Sequence, residues 1–242
     1  MSDRARWTLW LSLGLSCGAQ AQAPVEGVNP ADLLTQVQLA AEYNRIDGGS
    51  YQSAFAVKYD QSFAGLPVGI NAELPLLYLG TPFGDLSGHG DLFVRFRYVK
   101  KIGAWAIGAA SEVVAPVGEP EFSSGRWQLN PAGLGVYAWD PFNISAVVHK
   151  RVYGYGSEDP AKADLNQYQW RFLQIHIWPT GWFAQADVSR WRDVRNEQGW
   201  NDLRFSVGKQ LSATRRVQVE LKKFSDSREN DLAINMAFSF KL

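Results

Sequence analysis

The side chains best suited to covalent or metal chemistry are few, and their spacing speaks against it. The 242-residue sequence holds three histidines and one cysteine. A zinc site gathers several His, Cys or carboxylate ligands at characteristic spacings, and His89, His149 and His176 show none with one another. His89 lies in the Gly-rich run Ser87-Gly88-His89-Gly90-Asp91 and reads as a loop residue. His149 reads as a solvated wall residue on the polar face of its strand, beside Arg151. A serine nucleophile needs a base within hydrogen-bond reach and a third group to orient it. No His-x-Ser occurs, and His89 is followed by Gly90, Asp91 and Leu92 rather than by a Ser-Asn pair, although separate strands could still bring Ser145 or Ser206 near a histidine. Gly88-His89-Gly90 and Gly133-Leu134-Gly135 do not sit between a strand and a helix, so neither is a nucleotide loop. No metal or cofactor is implied.

The charged residues are more suggestive. Arg95 and Arg97 occupy alternate positions of one strand-like run, on its polar face. Glu73, Asp187, Arg204, Glu220 and Lys222 fall on the polar faces of other runs. Seven such residues around an enclosed interior could do two things. Rings of charged side chains select permeant solutes, and opposite charges can pair and fill a narrow lumen.

Such an interior needs strands to enclose it, and period-two alternation runs through nearly the whole chain. Leu232, Ile234, Met236, Phe238, Phe240 and Leu242 alternate with Asp231, Ala233, Asn235, Ala237, Ser239 and Lys241. Leu203, Phe205, Val207 and Leu211 oppose Asp202, Arg204, Ser206 and Gln210, and Phe142, Ile144, Ala146 and Val148 oppose Asn143, Ser145 and His149. Two places break the rule. Leu134, Val136 and Ala138 take the other parity from Trp127 and Leu129, which predicts a change of face near Pro131. In 166–178, Tyr168, Trp170 and Phe172 share one parity while Leu173, Ile175 and Ile177 share the other, and a bulge near residue 172 would reconcile them. About twelve strands result. Tight joins near Phe63, Lys101, Pro141, Thr180 and Ala213 alternate with longer stretches at 79–90, 115–126, 154–165, 191–201 and 225–230. Short turns on one side and long loops on the other are the pattern of an outer-membrane barrel.

The fold class predicted is therefore all-β, a transmembrane antiparallel up-and-down β-barrel. Lipid leaves no alternative to closure, because every backbone group must be paired, and tilted spanning strands need about 9–11 residues. Arg4 and Arg6, the apolar run 7–16 and Ala19-Gln20-Ala21 read as a cleaved export signal over 1–21. That leaves 22–32 as a short periplasmic tail and 33–242 as the barrel, in the outer membrane. Cys17 falls within the signal, so no disulfide or thiol chemistry is expected of the exported chain. Lys plus Arg and Asp plus Glu number 24 each, so nucleic acid is not an expected partner. The expected partners are outer-membrane lipid, the barrel-insertion machinery and a small-molecule solute.

Ser87-Gly88-His89-Gly90-Asp91-Leu92, followed by the alternating run Phe93 to Tyr98, resembles the Gly-Asp-Leu strand opening of the outer-membrane family known as MetA-pathway of phenol degradation. Asn130-Pro131-Ala132-Gly133-Leu134-Gly135 is similar to a second feature of that family, and the resemblance spans about 80–242. The end of the chain, Phe238-Ser239-Phe240-Lys241-Leu242, departs from the usual outer-membrane terminus in Phe or Trp. The resemblance implies a channel or transporter for small, often aromatic or hydrophobic, solutes. Two other functions fit a barrel: a structural or adhesion protein displaying loops such as 154–165 or 191–201, and a lipid-acting enzyme.

Overall fold

The computed structural model describes residues 28–46, 50–156, 164–225 and 230–242. The signal read at 1–21 lies outside the described residues. The alternating runs form thirteen strands: β1 (Gln36–Ile46), β2 (Tyr51–Ser62), β3 (Val68–Thr81), β4 (Gly84–His89), β5 (Leu92–Ile102), β6 (Trp105–Ala115), β7 (Trp127–Asp140), β8 (Asn143–Tyr155), β9 (Leu165–Ile177), β10 (Trp182–Asp193), β11 (Gln198–Ser212), β12 (Arg215–Ser225) and β13 (Asn230–Lys241). Every pairing is antiparallel, and β1 meets β13 from Gln36↔Lys241 to Arg45↔Leu232. Because β2 also pairs with β3, the sheet closes on itself. The ring has twelve members, and the short β4 is the extra strand.

β4 and β5 are two halves of one crossing. The lower part of β3 pairs with β5 (Glu73↔Phe93) and its upper part with β4 (Leu76↔His89). Three residues, Gly90 to Leu92, thus face two, Leu74 and Pro75. Pro75 explains the site of the break. In an antiparallel ladder a residue's N–H and C=O point to the same neighbour. The Pro75 carbonyl accepts from Gly90 N at 2.9 Å, so its missing donor falls at the bulge and not in the intact β2 ladder.

The outer connections are shorter than expected. The stretch read as a loop over 79–90 is mostly strand, turned at 82–83, and 191–201 narrows to a turn at 194–197. There Asp193 caps the amides of Arg195 and Asn196, and Glu197 takes a positive φ of 55°. Gly, Pro and charge mark these residues as water-exposed, but hairpins that rise out of the lipid are exposed too. Among the described residues, 116–126 is the long outer loop.

Along β10 to β13 and β1 to β6 the expected faces hold. Phe96, Phe205 and Met236 are 51%, 50% and 55% exposed on the outside, whereas Ala237 and Ala233 on the inner face are 8% and 1% exposed. Aromatic side chains gather at both rims. Trp105 packs on Tyr137 at 4.6 Å and Tyr137 on Trp139 at 4.8 Å at the periplasmic end. Tyr43, Tyr51 and Tyr78 follow one another at 5.8 and 5.9 Å at the other.

Across β7 and β8 the expected faces fail, and in β9 the expected bulge is absent. β6 pairs with β7 in unbroken register through Pro131, and both neighbours of β9 run past residue 172 without a shift, so neither a change of face nor a bulge exists. Instead, Leu134, Val136, Ala138, Ile144, Ala146, Val148, Leu173, Ile175 and Ile177 point inward. His149 is correspondingly on the outside, over Trp170 at 4.3 Å and beside the Gln169 carbonyl at 3.2 Å, not on the inner wall. Ser145 also faces out, between Trp139 Nε1, from which it accepts at 2.9 Å, and Gln174 Oε1, to which it donates at 2.6 Å. The physical reason is that the periplasmic part of this sector has a dry interior. Phe183, Ile175, Val136 and Ile144 are at most 5% exposed and pack with Val99 and Ala106.

Residues 28–32, the described part of the segment read as a tail, join that interior. Val28 and Ala31 are buried in the cluster, and Leu33 packs against it. Asp32 meets Lys101 Nζ at 2.9 Å, and Thr35 bonds to Ser62. The segment therefore enters the periplasmic mouth of the barrel.

Candidate functional site: the polar interior

Above the dry cluster the inner wall is polar and partly hollow. Its centre is Glu112 on β6, 6% exposed in its side chain. Four donors converge on its two oxygens. Arg95 reaches Oε2 through Nε at 3.0 Å and through Nη2, while Lys150 Nζ and Asn130 Nδ2 reach Oε1 at 2.7 and 2.9 Å. Buried carboxylates need this kind of company. The neighbouring cations repeat the arrangement one carboxylate at a time. Arg97 Nη2 donates to Asp60 at 2.8 Å, Arg171 Nε to Asp187 at 2.6 Å, and Arg204 lies 3.6 Å from Asp202, which also accepts from Trp191 Nε1 at 3.0 Å.

Two cavities lie in this polar part. One, of about 410 Å³, is bordered by Arg95, Arg97, Lys150, Arg171 and Arg204, with Glu112 beside them and Val99, Leu134 and Val148 below. Pro30 of the inserted N-terminal segment also touches it. The other, of about 400 Å³, lies along the inner face of β1 to β3, bordered by Glu42, Lys58, Glu73, Asp91, Phe122 and Asn235.

All seven residues singled out for the polar faces lie on the inner side. Arg95, Arg97 and Arg204 border the first cavity, and Asp187, 1% exposed, sits behind Arg171. Glu73 borders the second cavity and bridges to Lys58 at 3.0 Å. Glu220 and Lys222 lie on β12, opposite Ser206 and Arg204 respectively, and border neither cavity. Sequence reading missed Glu112, Lys150 and Arg171. Glu112 continues the Gly108 parity of β6 and was legible. Lys150 was hidden because the apolar residues of β8 were expected to face lipid, and Arg171 because the two apolar parities of β9 left its faces unassigned.

Among the described residues no hydrogen bond joins a serine to a histidine. His89 Nε2 lies 3.0 Å from the Val117 carbonyl, His176 Nδ1 lies 2.8 Å from Asn143, and His149 is placed as above. Ser206 is buried in the inner wall, between Gln185 and Glu220 of the neighbouring strands.

A family profile, MetA-pathway of phenol degradation, matches residues 38–242. The chain belongs to this family. No functionally curated protein matches the sequence significantly. Similar solved structures include an outer-membrane channel of Pseudomonas putida F1, 12% identical, with a TM-score of 0.68 over 87% of this chain and 96% of that one. The NanC porin is 11% identical, with a TM-score of 0.65 over 85% and 100%. The CymD monoaromatic hydrocarbon channel is 8% identical, with a TM-score of 0.54 over 93% and 95%. These likenesses establish the outer-membrane barrel fold.

Both stretches that suggested the MetA-pathway family have work to do in the structure. Asp91, at the middle of the break in the β4–β5 crossing, accepts from Ser123 Oγ (2.7 Å), Ser124 Oγ (2.6 Å), Ser124 N (2.8 Å) and Gly118 N (3.3 Å). It thereby pins loop 116–126 inward, and Phe122 and Ser124 of that loop border the second cavity. A Cβ on Gly118 would come within 2.8 Å of the Gly90 backbone, so the loop can cross the break only as glycine. Asn130, of the second stretch, is the amide that completes the shell of Glu112.

Proposed function

We propose that the protein is a passive outer-membrane channel for small solutes, with apolar or aromatic compounds as the favoured cargo. The observation that carries this reading is the hollow polar interior, lined by charged side chains and enclosed by a closed ring of twelve strands. Its narrow ends are formed by loop 116–126 on the outside and by the inserted segment 28–35 on the periplasmic side. Membership of the phenol-degradation family and the likeness to a monoaromatic hydrocarbon channel support a small aromatic cargo. The three similar structures named above are channels and a porin, which favours transport over lipid hydrolysis.

The test is conductance in planar bilayers together with solute-driven swelling of liposomes. The full chain is expected to give small single-channel currents. A variant lacking 22–33 is expected to conduct several-fold more, because the periplasmic mouth loses its insert. If neither protein passes ions or solutes, the channel reading is wrong.

A further inference from the structure

We propose that the cavity beneath Arg95 and Arg204 is a binding site for small carboxylates with an apolar body, such as aryl or short alkyl carboxylates. The proposal narrows the cargo of the channel described above and rests on that reading for its biological setting.

Three observations on the cavity wall carry it. First, the ion pairs are all oriented the same way. The side chains of Arg95, Arg171, Lys150, Arg97 and Arg204 are 42%, 28%, 24%, 22% and 22% exposed, while their partners Glu112, Asp187, Asp60 and Asp202 are 6%, 1%, 10% and 4% exposed. A solute in the cavity therefore meets cations, with the carboxylates recessed in the wall behind them. Second, the count is unequal. Arg95 and Lys150 share Glu112, so five cations stand on four carboxylates. Within a low-dielectric wall such an excess is felt strongly, because water screens it poorly. Third, the cavity is chemically split. Below the cations lie Val99, Leu134 and Val148, continuous with the dry cluster.

Each simpler solute leaves part of this wall unused. A neutral hydrocarbon would satisfy the apolar floor and strip water from the cations, which is costly without a counter-charge. An inorganic anion would engage the cations and leave the floor wet. A sugar acid would set hydroxyls against the aliphatic side chains of Val99, Leu134 and Val148. A carboxylate on a hydrocarbon body matches both halves, with the carboxylate on the guanidinium groups, whose planar fork suits it, and the body on the aliphatic floor.

Isothermal titration calorimetry on the full chain in detergent, with empty micelles as the blank, tests this with sodium benzoate, benzamide, benzylammonium and acetate. Benzoate is expected to bind at least ten-fold more tightly than benzamide and acetate, and benzylammonium not to bind. Arg95→Gln with Arg204→Gln should weaken benzoate at least ten-fold. These changes leave Glu112 with Lys150 and Asp202 with Trp191, and a cold-gel mobility check reports that the barrel has formed. Leu134→Ser, which touches no charge, should weaken benzoate while leaving acetate unchanged. Equal binding of benzoate and benzamide, or of benzoate and acetate, overturns the proposal. Benzoate block of the ionic current separates it from the channel reading. Current without block or binding refutes the site alone, and binding without any current refutes the channel alone.

Discussion

The wall formed by β11, β12, β13 and β1 and the wall formed by β7, β8 and β9 both alternate large apolar residues with others, yet they obey opposite rules. In the first, Leu203, Phe205, Met236 and Ile234 face lipid, and Arg204, Ser206 and Asn235 face the lumen. In the second, Ile144, Leu173, Ile175 and Ile177 face inward, while Ser145, His149 and Gln174 face out among aromatic rings. The difference teaches that apolar periodicity marks a face that avoids water. It does not say whether lipid or protein excludes the water. Where the N-terminal segment and the converging side chains dry the lumen, the inner face becomes the more demanding one. Outside, a polar group can be satisfied by its strand neighbours, as Ser145 is by Trp139 and Gln174.

Substitutions can break or sharpen this contrast. Ile175→Asp should have the largest effect. Residue 175 is 0% exposed in the dry cluster, and an unpaired carboxylate there costs several kcal/mol. The variant is expected not to reach the compact barrel, seen as loss of the fast-migrating band on an unheated gel. A stable Ile175→Asp barrel would show that water reaches this part of the lumen. Phe205→Arg, on the lipid face of the other wall, should destabilise by about 2–4 kcal/mol, measured by denaturant unfolding in lipid vesicles. Asp91→Ala removes the acceptor of four hydrogen bonds and should cost about 2 kcal/mol, with faster proteolysis of loop 116–126. Ser145→Val should move stability by no more than about 0.5 kcal/mol. A loss near that of Phe205→Arg would mean that the polar outer face of β8 is itself a requirement.

The same contrast explains what could be read in the sequence. Closure, the twelve-membered ring and the inner position of Arg95, Arg97 and Arg204 follow from strands in which one parity is large and apolar and the other polar. β8 was read inside out because Ile144 and Val148 are apolar and Ser145 and His149 are not, and only the packing of the lumen decides between lipid and core. Lys150 shared that fate, and Arg171 lies on a strand whose two apolar parities left its faces open, so two of the five cations of the cavity were missed. The inward fold of 116–126 left no periodic trace, since it depends on Asp91 meeting Ser123 and Ser124 across more than thirty positions of chain. The extra strand β4 depends on Pro75, whose missing donor has meaning only once the neighbouring strand is known.

The pairing of Gln36 with Lys241 has a consequence for assembly. First and last strands are neighbours, so the seam can form only when the whole polypeptide has been delivered. Until then β1 presents a bare row of donors and acceptors, the kind of margin along which chains stick to one another. Loop closure over so long a separation is also slow. That bare margin disappears at the moment the last strand zips onto the first.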